Sequence, residues 1–456
     1  MNIYSLMKNP IIPIEQQFIN KPGEKQWDYK AICCFAATGF FLDNDTYYTN
    51  QKVLRPATEY VDGQEKPYFK WHYAPRDITF SQAVDEFADL FEYISREQLG
   101  GAKIILPLSG GLDSRSLAAA LKGKTYVHTY SYKFEHSFDE TKYGKEIAKR
   151  MGWKFDEFVI PHGYLWEKID DLSKINQCYA DFVSPRQMAV VDSYPTMGDV
   201  FYLGHGGDLF FDSMGVKDTL SLDDQLETLY KIIVRKGGLE LAESLWRYWG
   251  IEGSFEEYFR ERMRNYLSSI DIDNANARLR AFKSYYYVPR WTCVNLAIFA
   301  KYHPLSIPYF DNRMCEWLCT IPEKYLAGRQ IQIEFIKRKA PELASIPWET
   351  YSPCNLYNYA VYNSFSKQIV VVYHKIIRRL NEIVSGRVCT ARNWEIQYLG
   401  KENDNQLRGA LLSDSGIAPK EVCQIFYNKF IEGNQEQKVW YSHPISTLLV
   451  LTKKCE

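Results

Sequence analysis

Six residues, Ser109-Gly110-Gly111-Leu112-Asp113-Ser114, combine what a phosphate-handling loop needs. Two consecutive glycines admit backbone conformations closed to other residues and leave N–H groups free to face an anion. A helix starting here adds the positive end of its dipole. The Ser109 and Ser114 hydroxyls supply further donors to phosphate oxygens. Asp113 is the odd member, because a carboxylate beside phosphates is repelled unless a cation lies between. Mg²⁺, a hard ion that takes oxygen ligands, suits that place. The loop lacks the Gly-Lys-Ser/Thr ending of a Walker A motif and the Gly-x-Gly-x-x-Gly of dinucleotide folds. Read alone, it is a turn joining a strand to a helix; the flanking pattern and the lone Asp favour phosphate.

A second turn, Leu203-Gly204-His205-Gly206-Gly207-Asp208, carries another carboxylate. Taken without the first loop, Asp208 reads as a turn residue capping a backbone N–H. If the strands before the two turns are neighbours in one sheet, Asp113 and Asp208 converge on a single metal ion.

The elements that must position these residues follow from periodicity. Ala83, Val84, Phe87, Leu90, Phe91 and Ile94 repeat at three and four and mark an amphipathic helix. Lys103 to Leu108 is a short apolar run of buried-strand type, followed by the loop and a helix from Ser116 to Leu121. Thr125 to Tyr132, Phe155 to Ile160 and Val200 to Leu203 read as further strands, with a helix over Glu140 to Met151. This alternation predicts an α/β fold, a parallel sheet flanked by helices, with ligands at the carboxyl ends of the strands. Before it, residues 1–76 read as a small β layer: Lys30 to Phe35 and Thr46 to Thr49 as strands around the turn Asp43-Asn44-Asp45, continued by Val53-Leu54 and Tyr68 to Trp71. From about Leu220 the pattern is helical, with loops around Pro341 to Pro353 and Asn403 to Asn405. The expected organisation is a β-rich segment (1–76), an α/β domain (77–350) and a helical extension packed on it (351–456).

Composition narrows the classes. The 456 residues are 46 % hydrophobic and 24 % charged, ordinary for a globular chain. A net charge of −1 argues against a broad nucleic-acid or anionic-membrane surface. The start Met1-Asn2-Ile3-Tyr4 is not that of a signal peptide, and no run reaches the roughly 18 apolar residues of a membrane span. Ten scattered cysteines fit reduced thiols in a cytoplasmic protein. Cys315 and Cys319 lie one helical turn apart but lack the flanking ligands of a zinc site.

Ser-Gly-Gly-Leu-Asp-Ser resembles the pyrophosphate loop (PP-loop) of the asparagine synthetase family, which includes β-lactam synthetases and lasso-peptide cyclases. Thr129-Tyr130-Ser131-Tyr132 resembles its adenine-lining strand, and Phe138-Asp139-Glu140 the Asp-Glu that opens the next helix. Leu203 to Asp208 resembles its Ser-Gly-Glu-Gly-Ala-Asp, and Pro308-Tyr309-Phe310-Asp311 its Pro-Phe-Leu-Asp. The likeness spans about residues 80 to 350. It implies a fold of the adenine nucleotide alpha hydrolase type, with ATP and Mg²⁺ as cofactors. It implies nucleotide contacts at Leu108, Ser109, Gly110, Gly111, Leu112, Asp113, Ser114, Ser131, Tyr132, Leu203 and Gly204, and metal ligation by Asp113 and Asp208. The family cleaves ATP to AMP and pyrophosphate, forms an acyl-adenylate, and lets an amine displace AMP.

The departures are informative. Glutamine-hydrolysing members begin with a nucleophilic Cys after Met removal; position 2 here is Asn2, and Thr38 to Leu42 through Arg55-Pro56 looks like the tail of a glutaminase domain. Cys33 and Cys34, expected inside a strand, are poor substitutes. The expected partners are therefore a small-molecule or peptide carboxylate and an amine or ammonia, with a separate ammonia or substrate donor protein as a further candidate, and no membrane or nucleic acid. His205 stands where asparagine synthetases carry Glu; it is expected either to take a proton from the amine or to make a simple hydrogen bond. With Asp113 and Asp208 it forms the expected catalytic set. The Glu-x-Arg before Pro-Phe-Leu-Asp is replaced around Pro304 to Ser306. The C-terminal Lys that steadies the adenylate should lie near Ile346 to Tyr351, where none stands; Lys337 or Lys339 are candidate substitutes. Tyr285, Tyr286, Tyr287 and Trp291 line either the substrate pocket or the core. Two other readings compete: a non-catalytic ATP-binding scaffold, and an RNA-modifying enzyme, against which the neutral charge and missing Cys-x-x-Cys speak.

Overall fold

A computed structural model describes residues 17–135, 139–182, 186–361, 397–413 and 416–454; Asn2 and Phe138 lie outside the described residues. Two small antiparallel pairs come first: β1 (Phe18–Asn20) with β2 (Gln51–Val53), and β3 (Thr58–Val61) with β4 (Gln64–Pro67). Between β1 and β2 the expectation of a strand over Lys30 to Phe35 is overturned: Tyr29–Thr38 is a helix, α1. Asp28 accepts from the Ala31 N–H at 3.0 Å to start it, and Gly39, with φ 80°, ends it in the left-handed region. All eight residues from Ala31 to Thr38 are buried, so the run is apolar on every face and shows no period by which helix and strand can be told apart. Gly238, opening the Gly238–Tyr248 helix, approaches it so closely that a Cβ would lie 2.3 Å from the Ala37 carbonyl oxygen. Thr46 to Thr49 is not a strand either; the Thr46 hydroxyl bonds the Tyr48 and Gln51 carbonyls and offers the backbone an alternative to a ladder. Tyr68 to Trp71 is irregular.

Helix α2 (Phe80–Leu99) follows, started by a reciprocal Thr79–Gln82 capping box, worth about 1 kcal/mol at its N-cap. It buries Ala83, Val84, Phe87, Phe91 and Ile94 of the stripe that the periodicity marks, with Leu90 half-buried at its edge. The sheet contains β5 (Ile104–Pro107), β6 (Val127–Phe134), β7 (Lys154–Ile160), β8 (Val200–Tyr202) and β9 (Leu305–Ser306), all parallel, in the order β7-β6-β5-β8-β9. Strand β9 has no periodic signature, being two residues long. Ile104, Ile105, Leu106, Val200, Phe201 and Tyr202 are buried, as strands covered by helices on both faces must be. Chain order reverses at β5, so the crevice between the carboxyl ends of β5 and β8 is the topological switch point where α/β sheets hold ligands.

Helices α3 (Leu112–Ala120), α4 (Thr141–Met151) and α5 (Tyr164–Asn176) alternate with the strands, and α6 (Gly207–Phe210) follows β8. The rest is mainly helical. Asn403 to Asn405, expected in a loop, lies in the Lys401–Leu411 helix. Glu402 and Asp404 complement the dipole at its first turn and Leu407 and Leu411 are buried, which outweighs the loop preference of Asn. Among the described residues no helix is long and apolar enough to cross a membrane.

Candidate active site

The loop hangs between β5 and α3. The Ser109 N–H donates to the Ser114 hydroxyl at 3.1 Å, the two hydroxyls meet at 3.0 Å, and the Gly111 N–H donates to Ser109 Oγ at 3.2 Å. The serines thus shape the loop before any anion arrives. Its glycines serve a purpose other than the one expected. Neither Gly110 nor Gly111 takes a positive φ; Gly111, at φ −80° and ψ −178°, is extended backbone. Gly110 is small because Glu349 and Tyr143 press on it: a Cβ would lie 2.6 Å from Glu349 Cβ. The Leu112 side chain is fully buried, leaving only its backbone at the loop.

Behind the loop, buried Arg115 donates to the carbonyls of Gly110, Leu343, Ile346 and Pro347 at 2.9–3.3 Å. It ties the loop to the segment that carries Glu349.

The second turn lies against Asp113. A Cβ on Gly204 would come within 2.9 Å of Asp113 Cβ, and one on Gly207 within 1.9 Å of Asp113 Oδ1. That oxygen receives the Arg329 guanidinium in a short hydrogen bond and the Gln332 amide at 3.2 Å; the same amide nitrogen donates to the Tyr309 hydroxyl at 2.7 Å. Arg329 takes φ 61°, a strained conformation for a side chain of its size, at the head of the Gln330–Lys339 helix. Burial pushes the Asp113 carboxyl up to about 6; Arg329 opposes this and the charge of Asp208 adds to it. Exposed Asp208 accepts from the Leu209 N–H at 2.9 Å.

Both aspartates open on one cavity of about 450 Å³ at the sheet's switch point. Of the residues singled out from sequence, Leu108, Ser109, Asp113, Ser114, Ser131, Tyr132, Leu203, Gly204, His205 and Asp208 line it, with Tyr287 and Trp291. Tyr285 and Tyr286, in the same Lys283–Thr292 helix as Tyr287 and Trp291, face a second cavity with Trp71 and Arg55. Burial pushes the His205 imidazole down to about 4, against the pull of Asp208, and its Nδ1 has no hydrogen-bond partner among the described residues. His205 is thus neutral near pH 7 and a weaker base than an exposed imidazole. Lys339 pairs with Glu92 on α2 at 2.7 Å, and Lys337 lies over the Tyr357 ring, so neither enters the cavity.

Sequence reasoning missed Arg329, Gln332, Arg186, Gln187 and Lys283. The last sits at the head of a wide, π-type helix, Lys283–Thr292, whose Pro289 removes an N–H and marks a departure from regular helix that the sequence does show. Burial holds the Lys283 ammonium below the ordinary lysine range, opposed by Asp208. Cys33 and Cys34, inside α1, are inert: burial pushes the Cys34 thiol up to about 12 and that of Cys33 higher.

The arrangement can hold an anion over the start of α3, with two carboxylates beside it. Among the described residues no group of three metal-ligating side chains exists, but a Mg²⁺ site needs only one or two carboxylates when phosphates complete it. Two adjacent carboxylates, one half-buried and one exposed, suit a cation between them. No curated protein matches the chain closely enough to be named as a relative. Residues 86–332, more than half of the chain, match the family model described as asparagine synthase, and the chain belongs to that family.

Proposed function

We propose that the chain is an ATP-dependent, AMP-forming carboxylate–amine ligase working through an acyl-adenylate. The observation that carries this is the meeting of Asp113 and Asp208 at the ends of neighbouring parallel strands, in one cavity with the Ser109–Ser114 loop. ATP lies with its base towards Ser131 and Tyr132 on β6 and its phosphates over the loop, where the α3 dipole and the serine hydroxyls favour negative charge. Mg²⁺ held by Asp113 and Asp208 would neutralise charge on the leaving pyrophosphate. Arg329 keeps Asp113 ionised and oriented, and Gln332 fixes the same oxygen.

In the first half-reaction a carboxylate oxygen attacks the α-phosphorus, the bond to the β-phosphate bridge breaks, and pyrophosphate leaves with the electron pair. In the second, an amine attacks the acyl carbon and AMP departs with the C–O electrons. Neutral His205, its Nδ1 without a hydrogen-bond partner among the described residues, takes the amine's proton in this reading. The expected nitrogen source is an amine or ammonia, since Cys33 and Cys34 are not nucleophiles. The expected site of action is the cytoplasm. The test is ATP–pyrophosphate exchange with a panel of acids, repeated for Asp113→Ala. Exchange lost in the variant supports the reading; exchange surviving it, or ADP as the product, refutes it.

One observation favours a second reading, an ATP-binding scaffold without turnover. The segment Ile346 to Tyr351 lays a carboxylate, Glu349, on Gly110 where the family's lysine is expected. Tight ATP binding without AMP formation across the panel would favour it.

A further inference from the structure

The cavity has two ends. Tyr132 of β6, bonded by the Gln187 amide at 3.5 Å, stands at one with Arg186; Asp208, after β8, stands at the other. The loop after β5 lies between them because β5 pairs with both β6 and β8. At the Asp208 end a single side chain among the lining residues carries positive charge: Lys283. It is partly buried, its Nζ lies 5.8 Å from the Tyr287 ring centroid, and among the described residues it has neither hydrogen bond nor ion pair. Structural lysines in this fold are different. Lys339, Lys122, Lys133 and Lys168 each reach a carboxylate within 2.8 Å. The Asp208 carboxylate across the cavity attracts Lys283 without a hydrogen bond or ion pair, so its N–H donors stay open to a second anion in the cavity.

Chemistry at that end of the cavity needs a cation. An acid's carboxylate must approach an α-phosphate that is itself anionic, and the pentacovalent phosphorus then gathers charge on its non-bridging oxygens. Lys337 and Lys339 point away, Arg329 is engaged by Asp113, and Glu349 brings the wrong sign.

We propose that Lys283 is the cation that faces the α-phosphate of bound ATP and the carboxylate that attacks it. The assignment rests on the adenylation reading. Lys283 changes no bond: the carboxylate oxygen–phosphorus bond forms, the α-phosphorus bond to the bridging oxygen breaks, and pyrophosphate leaves with the pair. The Lys283 N–H donors follow the α-phosphoryl oxygens through the step. The placement on the π-type helix, beside Tyr287 and Trp291, also puts the acid at the aromatic end of the cavity.

The test uses the full chain with ATP·Mg²⁺ and, separately, adenosine. Trace acetylation of Lys283 by acetic anhydride, read by mass spectrometry, should fall at least fivefold with saturating ATP·Mg²⁺ and stay unchanged with adenosine. Calorimetry should show Lys283→Met binding ATP·Mg²⁺ about tenfold more weakly, as for a lost charge-assisted hydrogen bond, and Lys283→Arg within about threefold of wild type. ATP bound by wild type with Lys283 still labelled as in the free protein overturns the assignment and spares the ligase reading. So does unchanged affinity in Lys283→Met. Failure of the wild-type chain to bind ATP·Mg²⁺ overturns both.

Discussion

Gly207 stands so close to Asp113 that a Cβ on it would lie 1.9 Å from Asp113 Oδ1. The contact joins the end of β8 to the end of β5 and fixes where both carboxylates open. Gly207 has no positive φ, so alanine fits the backbone and fails only for space.

Gly207→Ala should therefore displace Asp113, costing about 1–3 kcal/mol in overpacking and leaving the chain folded. Its ATP·Mg²⁺ affinity should drop at least about tenfold, a misplacement worth roughly 1.4 kcal/mol or more. Gly101→Ala, where a Cβ meets nothing within 4 Å, is the control and should change neither melting temperature nor affinity. Unaltered ATP binding in Gly207→Ala would show that the two turns do not form one site.

Asp113 should confer pH dependence on nucleotide binding. Its carboxyl titrates near 6 in the free protein, so it is protonated below that pH and loses its charge for a metal ion. Affinity for ATP·Mg²⁺ should fall as pH drops through about 6. Arg329 lowers this value, so Arg329→Met should move the midpoint upward. Calorimetric titrations between pH 5 and 8 check both; a midpoint unmoved in the variant would contradict the pairing.

The helices and strands around the loop were legible because their periods are clean: the stripe of α2, the apolar run of β5 and the Ser109–Ser114 turn. The α1 segment was not, because Ala31 to Thr38 is buried all round and its period is erased by packing against Gly238. The aspartates were legible from local turn chemistry. Arg329 and Gln332, more than two hundred residues on, reach Asp113 only through the packing of their helix on α3, and nothing near them in sequence marks that. Lys283 was hidden for a similar reason, although Pro289 flags its irregular helix. The glycines of the loop carry a further lesson. Gly110 is required by the close approach of Glu349 and not by its own φ, a distinction that sequence does not contain.

Arg115 is a buried cation whose partners are all carbonyls, from Gly110, Leu343, Ile346 and Pro347. Burial pushes its guanidinium down to about 10, so it is still charged at neutral pH. Arg115→Met leaves the Ile346 and Pro347 carbonyls without this donor, while those of Gly110 and Leu343 keep the Glu349 and Ile346 N–H groups, and should cost about 2–4 kcal/mol. Arg115→Lys should recover less than half, since an ammonium lacks the planar fork. Chemical denaturation of the three proteins measures this. Equal midpoints for wild type and Arg115→Met would remove Arg115 as the tie between loop and the 341–349 segment.

His443 supplies a stability prediction independent of the active site. In the Gln435–Lys453 helix, burial pushes its imidazole down to about 3, with Arg235 and Lys236 adding to the effect. Its unfolded value is about 6.5. Between those two values the unfolded chain holds a proton there and the folded chain does not, so acid favours unfolding. Stability should rise with pH through that window, by up to about 1.4 kcal/mol per unit from this group, and level off above about 6.5. Asp113 acts oppositely, because its folded value lies above its unfolded one, and its equal and opposite slope largely cancels that of His443 between about 4 and 6, so the comparison with a His443 variant is what isolates it. His443→Gln removes the first contribution alone. Its melting temperature should therefore fall less than that of wild type between pH 7.5 and pH 5, while the difference between the two proteins at pH 7.5 reflects the other contacts of the side chain. Parallel pH profiles for the two would mean that His443 takes up its proton as readily in the folded chain as in the unfolded one.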